Sequence, residues 1–151
     1  MTKPASTRPR QRGNAMIEFG IAMAVLFPIL AGTFQYGYSY FVYNNLESSV
    51  RAAARYAATR TYDSGTATPS AAFAASVRNM ALYGDPAGGT VTVPAGLTPG
   101  NVTVQMTFSN GVPSRVTVAI SGYQINGVFG NLTLNGKPMV SFPYVGSWDP
   151  V

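Results

Sequence analysis

The chain has 151 residues, 46% hydrophobic and only 10% charged, which excludes a fully disordered polymer and leaves room for one modest domain plus an anchor. It contains neither cysteine nor histidine, so disulfide staples, thiolate nucleophiles, imidazole bases and the usual zinc ligand sets are all removed. The formal charge of +5 does not mark a nucleic-acid surface: Lys3, Arg8, Arg10 and Arg12 precede residue 13, and residues 14–151 carry six cations against five acids, a net +1.

Residues 1–13 read as a cationic leader, disordered on its Pro-, Ser- and Thr-rich composition. From Asn14 to about Phe34 run 21 residues whose only charge is Glu18, close to the roughly 20 needed to cross ~30 Å of hydrocarbon. A transmembrane helix is predicted. The next cation after the leader, Arg51, lies 17 residues past Phe34, so the positive-inside bias puts the N-terminus in the cytoplasm and the rest in the periplasm. Pro28 falls inside the apolar run and predicts a kink rather than a stop, because membrane helices tolerate it. Phe34, Tyr36, Tyr38, Tyr40, Phe41 and Tyr43 form the aromatic belt expected where a helix leaves lipid for headgroups. Ala15, Gly20, Ala22, Ala24, Ala31 and Gly32 would let neighbouring helices approach closely.

The helical pattern continues through LESSVRAAARYAATR, where Leu46, Val50, Ala53 and Ala57 recur at three- and four-residue spacing and Glu47 and Arg51 pair at i, i+4. A helix from 14 to about 59 would be roughly 69 Å long, some 30 to 40 Å of it beyond the membrane. Residues 62–70, YDSGTATPS, read as a linker. Ser70 caps a short helix with Phe73, Val77 and Met80 on one side, and Gly84 ends it. Thereafter the period becomes two: Val91 and Val93; Val102, Val104, Met106 and Phe108; Val116, Val118 and Ile120. Asn110–Gly111 and Asn135–Gly136 signal tight hairpins. The predicted fold is α+β: a long N-terminal helix, a short helix, and an antiparallel sheet of four to six strands packed on helix 70–83. Trp148, in the loop-like GSWDP ending, reads as a core or edge anchor.

Glu18 is the anomaly. A carboxylate in a membrane segment costs on the order of 2.5 to 3.5 kcal/mol at the centre, less near an end, so it usually has a partner or a purpose. As a boundary residue it would reach back to headgroups or favour a helix N-terminus. The order of the sequence allows a second reading: basic tail, Gly13, four uncharged residues, Glu18, Phe19, then the apolar run. That order resembles a prepilin, and most closely the TadE-like minor pseudopilins of the tight-adherence pilus. Pro28, FQYGYSYFVYNN and RAAARYAATR extend the resemblance over residues 12–60. VRNMALYGDPAGG and PAGLTPGNVTV resemble, less specifically, the region beyond the long helix in that family.

The resemblance implies cleavage between Gly13 and Asn14 by a prepilin peptidase, which strips the leader and creates an α-amine at Asn14. Glu18 and Phe19 would then be the fifth and sixth mature residues, with Glu18 acting in assembly. It further implies partners among other pilin or pseudopilin subunits, the assembly platform and membrane lipid, with no cofactor. The corresponding units are a leader (1–13), a transmembrane and protruding helix (14–60), and a periplasmic α+β domain (61–151).

Two other readings compete. A secretory signal peptide would be cut near Ala31–Gly32 and release a β domain, although Glu18 and the continuing helical pattern oppose it. A plain single-span anchor would keep Met1 or Thr2. An enzyme is disfavoured because Glu47, Asp63, Asp85 and Asp149 are scattered and no GxSxG elbow is present. Asn101 and Asn131 head glycosylation-like triplets that carry no weight in strand-like sequence. Arg51, Arg55 and Arg60 read as a solvated helix face.

Overall fold

The computed structural model describes residues 11–94 and 96–150; most of the leader, residues 1–10, lies outside them. Helix α1, Gln11–Ala58, runs for 48 residues without a break, roughly 72 Å. It begins three residues earlier than the pattern predicted, a shift of the size usual at helix ends. Pro28 lies inside it and does not stop it. Helix α2 spans Ala71–Tyr83, and strands β1 (Val102–Ser109), β2 (Val112–Ile125) and β3 (Leu132–Pro143) come after it. The strands form one antiparallel meander in the order β1-β2-β3. The α+β class is as predicted.

α2 is built as its sequence requires. The Ser70 hydroxyl accepts from the Phe73 N–H at 3.1 Å and donates to the Asp63 carboxylate at 2.7 Å, placing a negative charge behind the positive end of the helix. Gly84 closes the other end in the left-handed region, φ +71°, with its N–H on the Met80 carbonyl at 3.1 Å. Phe73, Ala74, Val77, Ala81 and Leu82 are buried, while Met80 packs on the edge of the core.

Three sheet expectations are corrected. The sheet has three strands, not four to six. Val91 and Val93 lie in the connection from α2 to β1: Thr92 between them is held to the Leu82 carbonyl through its N–H (3.0 Å), Val93 packs on the core and Val91 is exposed. Pro86, Gly88, Gly89, Pro94 and Gly96 crowd this stretch and disfavour a ladder.

Asn110–Gly111 makes the expected two-residue hairpin, with both residues at positive φ and Ser109 paired to Val112. Asn135–Gly136, by contrast, does not turn. β3 passes straight through it, and the register jumps from Ala119↔Met139 to Ser121↔Asn135. β2 is 14 residues long, so its free edge accepts both halves of β3 in line. The surplus residues of β3 form a bulge containing Pro138, which lacks a ladder donor. Gly122, at φ +70°, makes the compensating bulge in β2. The real β2–β3 turn is the loop 126–131 between the paired Ile125 and Leu132.

The sheet's principal helical partner is also corrected. The C-terminal half of α1 joins α2 against the sheet: Val42, Leu46, Val50, Ala53, Ala54 and Ala57 are all buried with Val102, Val116, Val118 and Ile120 in one core. The alternation along β1 and β2 supplies the matching apolar face. The small alanines allow helix and sheet to approach closely. Tyr62 fills the core's end, edge-on to Phe73 at 5.2 Å, with its hydroxyl on the Thr66 carbonyl at 2.6 Å.

The C-terminal segment closes the end of α1. The Val145 N–H meets the Ala58 carbonyl at 2.9 Å, Tyr62 and Ser147 join at 2.8 Å, and the Tyr144 hydroxyl donates to the Arg60 carbonyl at 2.6 Å. Helix-end carbonyls that would otherwise lack a partner are thereby satisfied. Trp148 is an edge anchor, its indole N–H on the Ser64 carbonyl at 3.1 Å and its ring 6.0 Å from Phe108.

Candidate functional site

α1 divides into two unlike halves. Every residue from Asn14 to Leu30 is exposed, and this part of the helix is long and apolar enough to cross a membrane. Met16, Ile17, Phe19, Ile21, Val25, Phe27 and Ile29 are each at least 60% exposed. An apolar surface around the whole circumference distinguishes this half from an amphipathic surface helix. Coverage by the domain begins at Ala31 and Gly32 and continues through Gln35, Ser39, Val42, Leu46 and Val50, a seam at three- and four-residue steps.

The Gly13–Asn14 bond lies in the first turn of α1, and Glu18 stands one turn beyond Asn14 on an exposed stretch, with Phe19 next to it at 62% exposure. Among the described residues the only ion pair is Arg51–Glu47, at 2.6 Å, so Glu18 has none there. The structure thus places Gly13, Asn14, Glu18 and Phe19 close together along one end of a bare helix. Pro28 stands apart, in the middle of the apolar run.

Gln35 and the loop 126–131 were not anticipated from the sequence. The Gln35 side-chain carbonyl accepts from the Phe129 N–H at 2.8 Å, and its amide donates to the Gly130 carbonyl at 3.4 Å. A Cβ on Gly127 would overlap the Gln35 amide and lie 2.8 Å from the Gly130 oxygen, so only glycine fits this contact. A Cβ on Gly32 would sit 4.0 Å from the Phe129 ring. The signal was available as NGVFGN, an apolar pair flanked by glycines in an otherwise polar turn.

Farther along α1, an open groove of about 880 Å³ is lined by Glu47, Arg51, Arg55, Tyr56, Met80 and Phe142 among others. Arg51 is engaged by Glu47, and Arg60 lies over the Tyr56 ring at 4.6 Å, the arrangement of a solvated helix face. Burial pushes the Tyr62, Tyr123 and Tyr144 hydroxyls above their ordinary titration range; Tyr38 adds to the effect at Tyr123. Among the described residues no cluster of three or more His, Cys, Asp or Glu is placed to hold a metal.

Residues 13–55 match the family model of TadE-like proteins. Over this segment, less than a third of its length, the chain is similar to TadE-like proteins. The match starts at Gly13 and ends at Arg55, within the last turn of α1. It therefore spans the bare half of the helix and most of the half buried in the domain, and leaves out α2 and the sheet. No curated protein and no solved structure matches the chain. The apolar helix is long and apolar enough to cross a membrane, and the TadE-like match lies over it.

Proposed function

We propose that the chain is a minor pseudopilin: a subunit inserted in the inner membrane through residues 14–34, with its α+β domain in the periplasm, processed by a prepilin peptidase before it acts in pilus assembly or secretion. The observation that carries this reading is the bare apolar half of α1, continuous with a helix that is also the spine of the folded domain. Such a subunit can exchange lipid for the helices of its neighbours without altering the domain it carries. The TadE-like match over the same helix supports it.

Processing fits the position of the proposed bond. A protease takes its substrate extended, and Gly13–Asn14 lies in the first helical turn, where the N–H groups have no intrahelical partner and unwinding costs least. A signal-peptide cut near Ala31–Gly32 would instead require opening the middle of α1, against the loop that Gln35 holds. Cleavage after Gly13 leaves the new α-amine four residues from Glu18. The carboxylate would then neutralise that amine or the one on a neighbouring subunit, lowering the cost of burying both.

The test is the mature N-terminus, read by mass spectrometry from cells with and without the prepilin peptidase. A start at Asn14 that depends on the peptidase is the expected result. A start near Gly32 would make the chain a secreted domain, and Met1 or Thr2 would make it a plain anchor.

A further inference from the structure

We infer that the β2–β3 loop is a second membrane contact, with Val128 and Phe129 set into the outer interface of the bilayer that α1 spans; this rests on the membrane reading of α1. Phe129 lies against Gly32, which is 18 residues beyond Asn14 and therefore about 27 Å along the helix. With Asn14 at one face of a ~30 Å hydrocarbon core, that is the depth of the opposite boundary. Val128 is 82% exposed and Phe129 60%. Two large apolar side chains thus project from a turn, where polar residues are the rule.

The surroundings carry no charge that would resist the approach. No Asp, Glu, Lys or Arg occurs from residue 19 to 46 or from 116 to 136, so the helix below the domain, the loop and both adjoining strand ends are uncharged. The loop is also held in place. Gln35 bonds it through both Phe129 and Gly130, and Gly127 makes room for that amide. Tyr36, Tyr38 and Tyr40, on α1 just above, are 57–82% exposed and supply the aromatic ring at the same level. One helix can tilt and spin in a bilayer; a helix with a rigid side contact cannot spin freely. The loop therefore fixes which face of α1, and which face of the domain, is presented to neighbouring subunits.

Because the chain has no cysteine, single cysteines can be labelled without background. Full-length protein carrying Val25→Cys, Asn110→Cys or Val128→Cys, each bearing a nitroxide, is reconstituted into phosphatidylethanolamine–phosphatidylglycerol vesicles. Accessibility to oxygen and to a nickel chelate is then measured by power saturation. Position 25 should report lipid, position 110, in the hairpin at the other end of the sheet, should report water, and position 128 should report a depth within about 10 Å of the headgroup–acyl boundary. If 25 is in lipid while 128 is as open to nickel as 110, the loop contact is refuted and the membrane span stands. If 25 is itself in water, both fail. A label at 128 shielded from both reagents would place the loop against protein and also overturn the inference.

Discussion

Leu46 and Leu30 occupy one helix and differ in a single respect, which makes them a matched test of its two halves. Leu46 is 0% exposed in the core; Leu30 is 48% exposed in the bare segment. Truncating a fully buried leucine forfeits about 1.5–3 kcal/mol of transfer free energy, and the cavity raises the total to about 2–5 kcal/mol. Leu46→Ala should fall in that range because Val42 and Val50 flank it on the same buried seam and leave little room for collapse. Leu30→Ala has no such neighbours to lose and should stay within about 0.5 kcal/mol in detergent. Helix propensity changes equally at both sites, so it cancels from the comparison. Urea unfolding of the detergent-solubilised protein, monitored by fluorescence of Trp148, is the assay. The midpoint should drop by on the order of 1–3 M for Leu46→Ala and hardly move for Leu30→Ala. Equal shifts, or a larger one at Leu30, would refute the division of α1 into core and bare halves.

Gly127→Ala should force the loop off Gln35 and cost about 1–3 kcal/mol through overpacking; amide exchange at Phe129, whose N–H donates to Gln35, should speed up, and unchanged protection would count against the contact. Burial raises the folded-state pKa of Tyr62, Tyr123 and Tyr144 above the ordinary 10.0, so the folded state holds protons that the unfolded chain has released. Stability is therefore fully present below pH 10.0 and declines as pH rises past it through the folded values; a denaturation midpoint that is flat or rising across that window would contradict the burial of these hydroxyls. Glu18→Ala should leave insertion into membrane vesicles intact and reduce piliation, and normal piliation would return Glu18 to a boundary role.

The helices were legible because their signals are local. Ser70, the Phe73–Val77 spacing and Gly84 each determine one feature of α2, and the seam Leu46, Val50, Ala53, Ala57 was visible as periodicity. What that seam would meet was not, since a stripe on a helix does not name its partner: the sheet, and not only α2, covers it. Asn110–Gly111 and Asn135–Gly136 are the same dipeptide with different outcomes. The first stands between strands of compatible length, whereas the second lies beside Pro138 and opposite a β2 edge long enough to hold both halves of β3. That choice depends on tertiary pairing, which local turn chemistry does not encode. Gln35 was hidden for a similar reason: its partners Phe129 and Gly130 lie more than 90 residues away.

The bare half of α1 and Glu18 pose one physical problem rather than two. An apolar helix uncovered on all sides must be immersed in lipid or packed among other helices, and in neither setting is a lone carboxylate neutral in cost. Asn14 and Glu18 are four residues apart, about 40° from alignment on a helix of 3.6 residues per turn, so a charged amine at Asn14 would stand over the carboxylate one turn below. Their pairing within one subunit suits the membrane, where no other cation is at hand along the span. Pairing between subunits suits a bundle, where it also fixes the axial stagger of adjacent helices, because a buried charge pair tolerates little displacement. A proteolytic step that makes the amine would thus act as the licence for assembly: before it the carboxylate lacks this partner, and after it the same charge can serve first in lipid and then between helices.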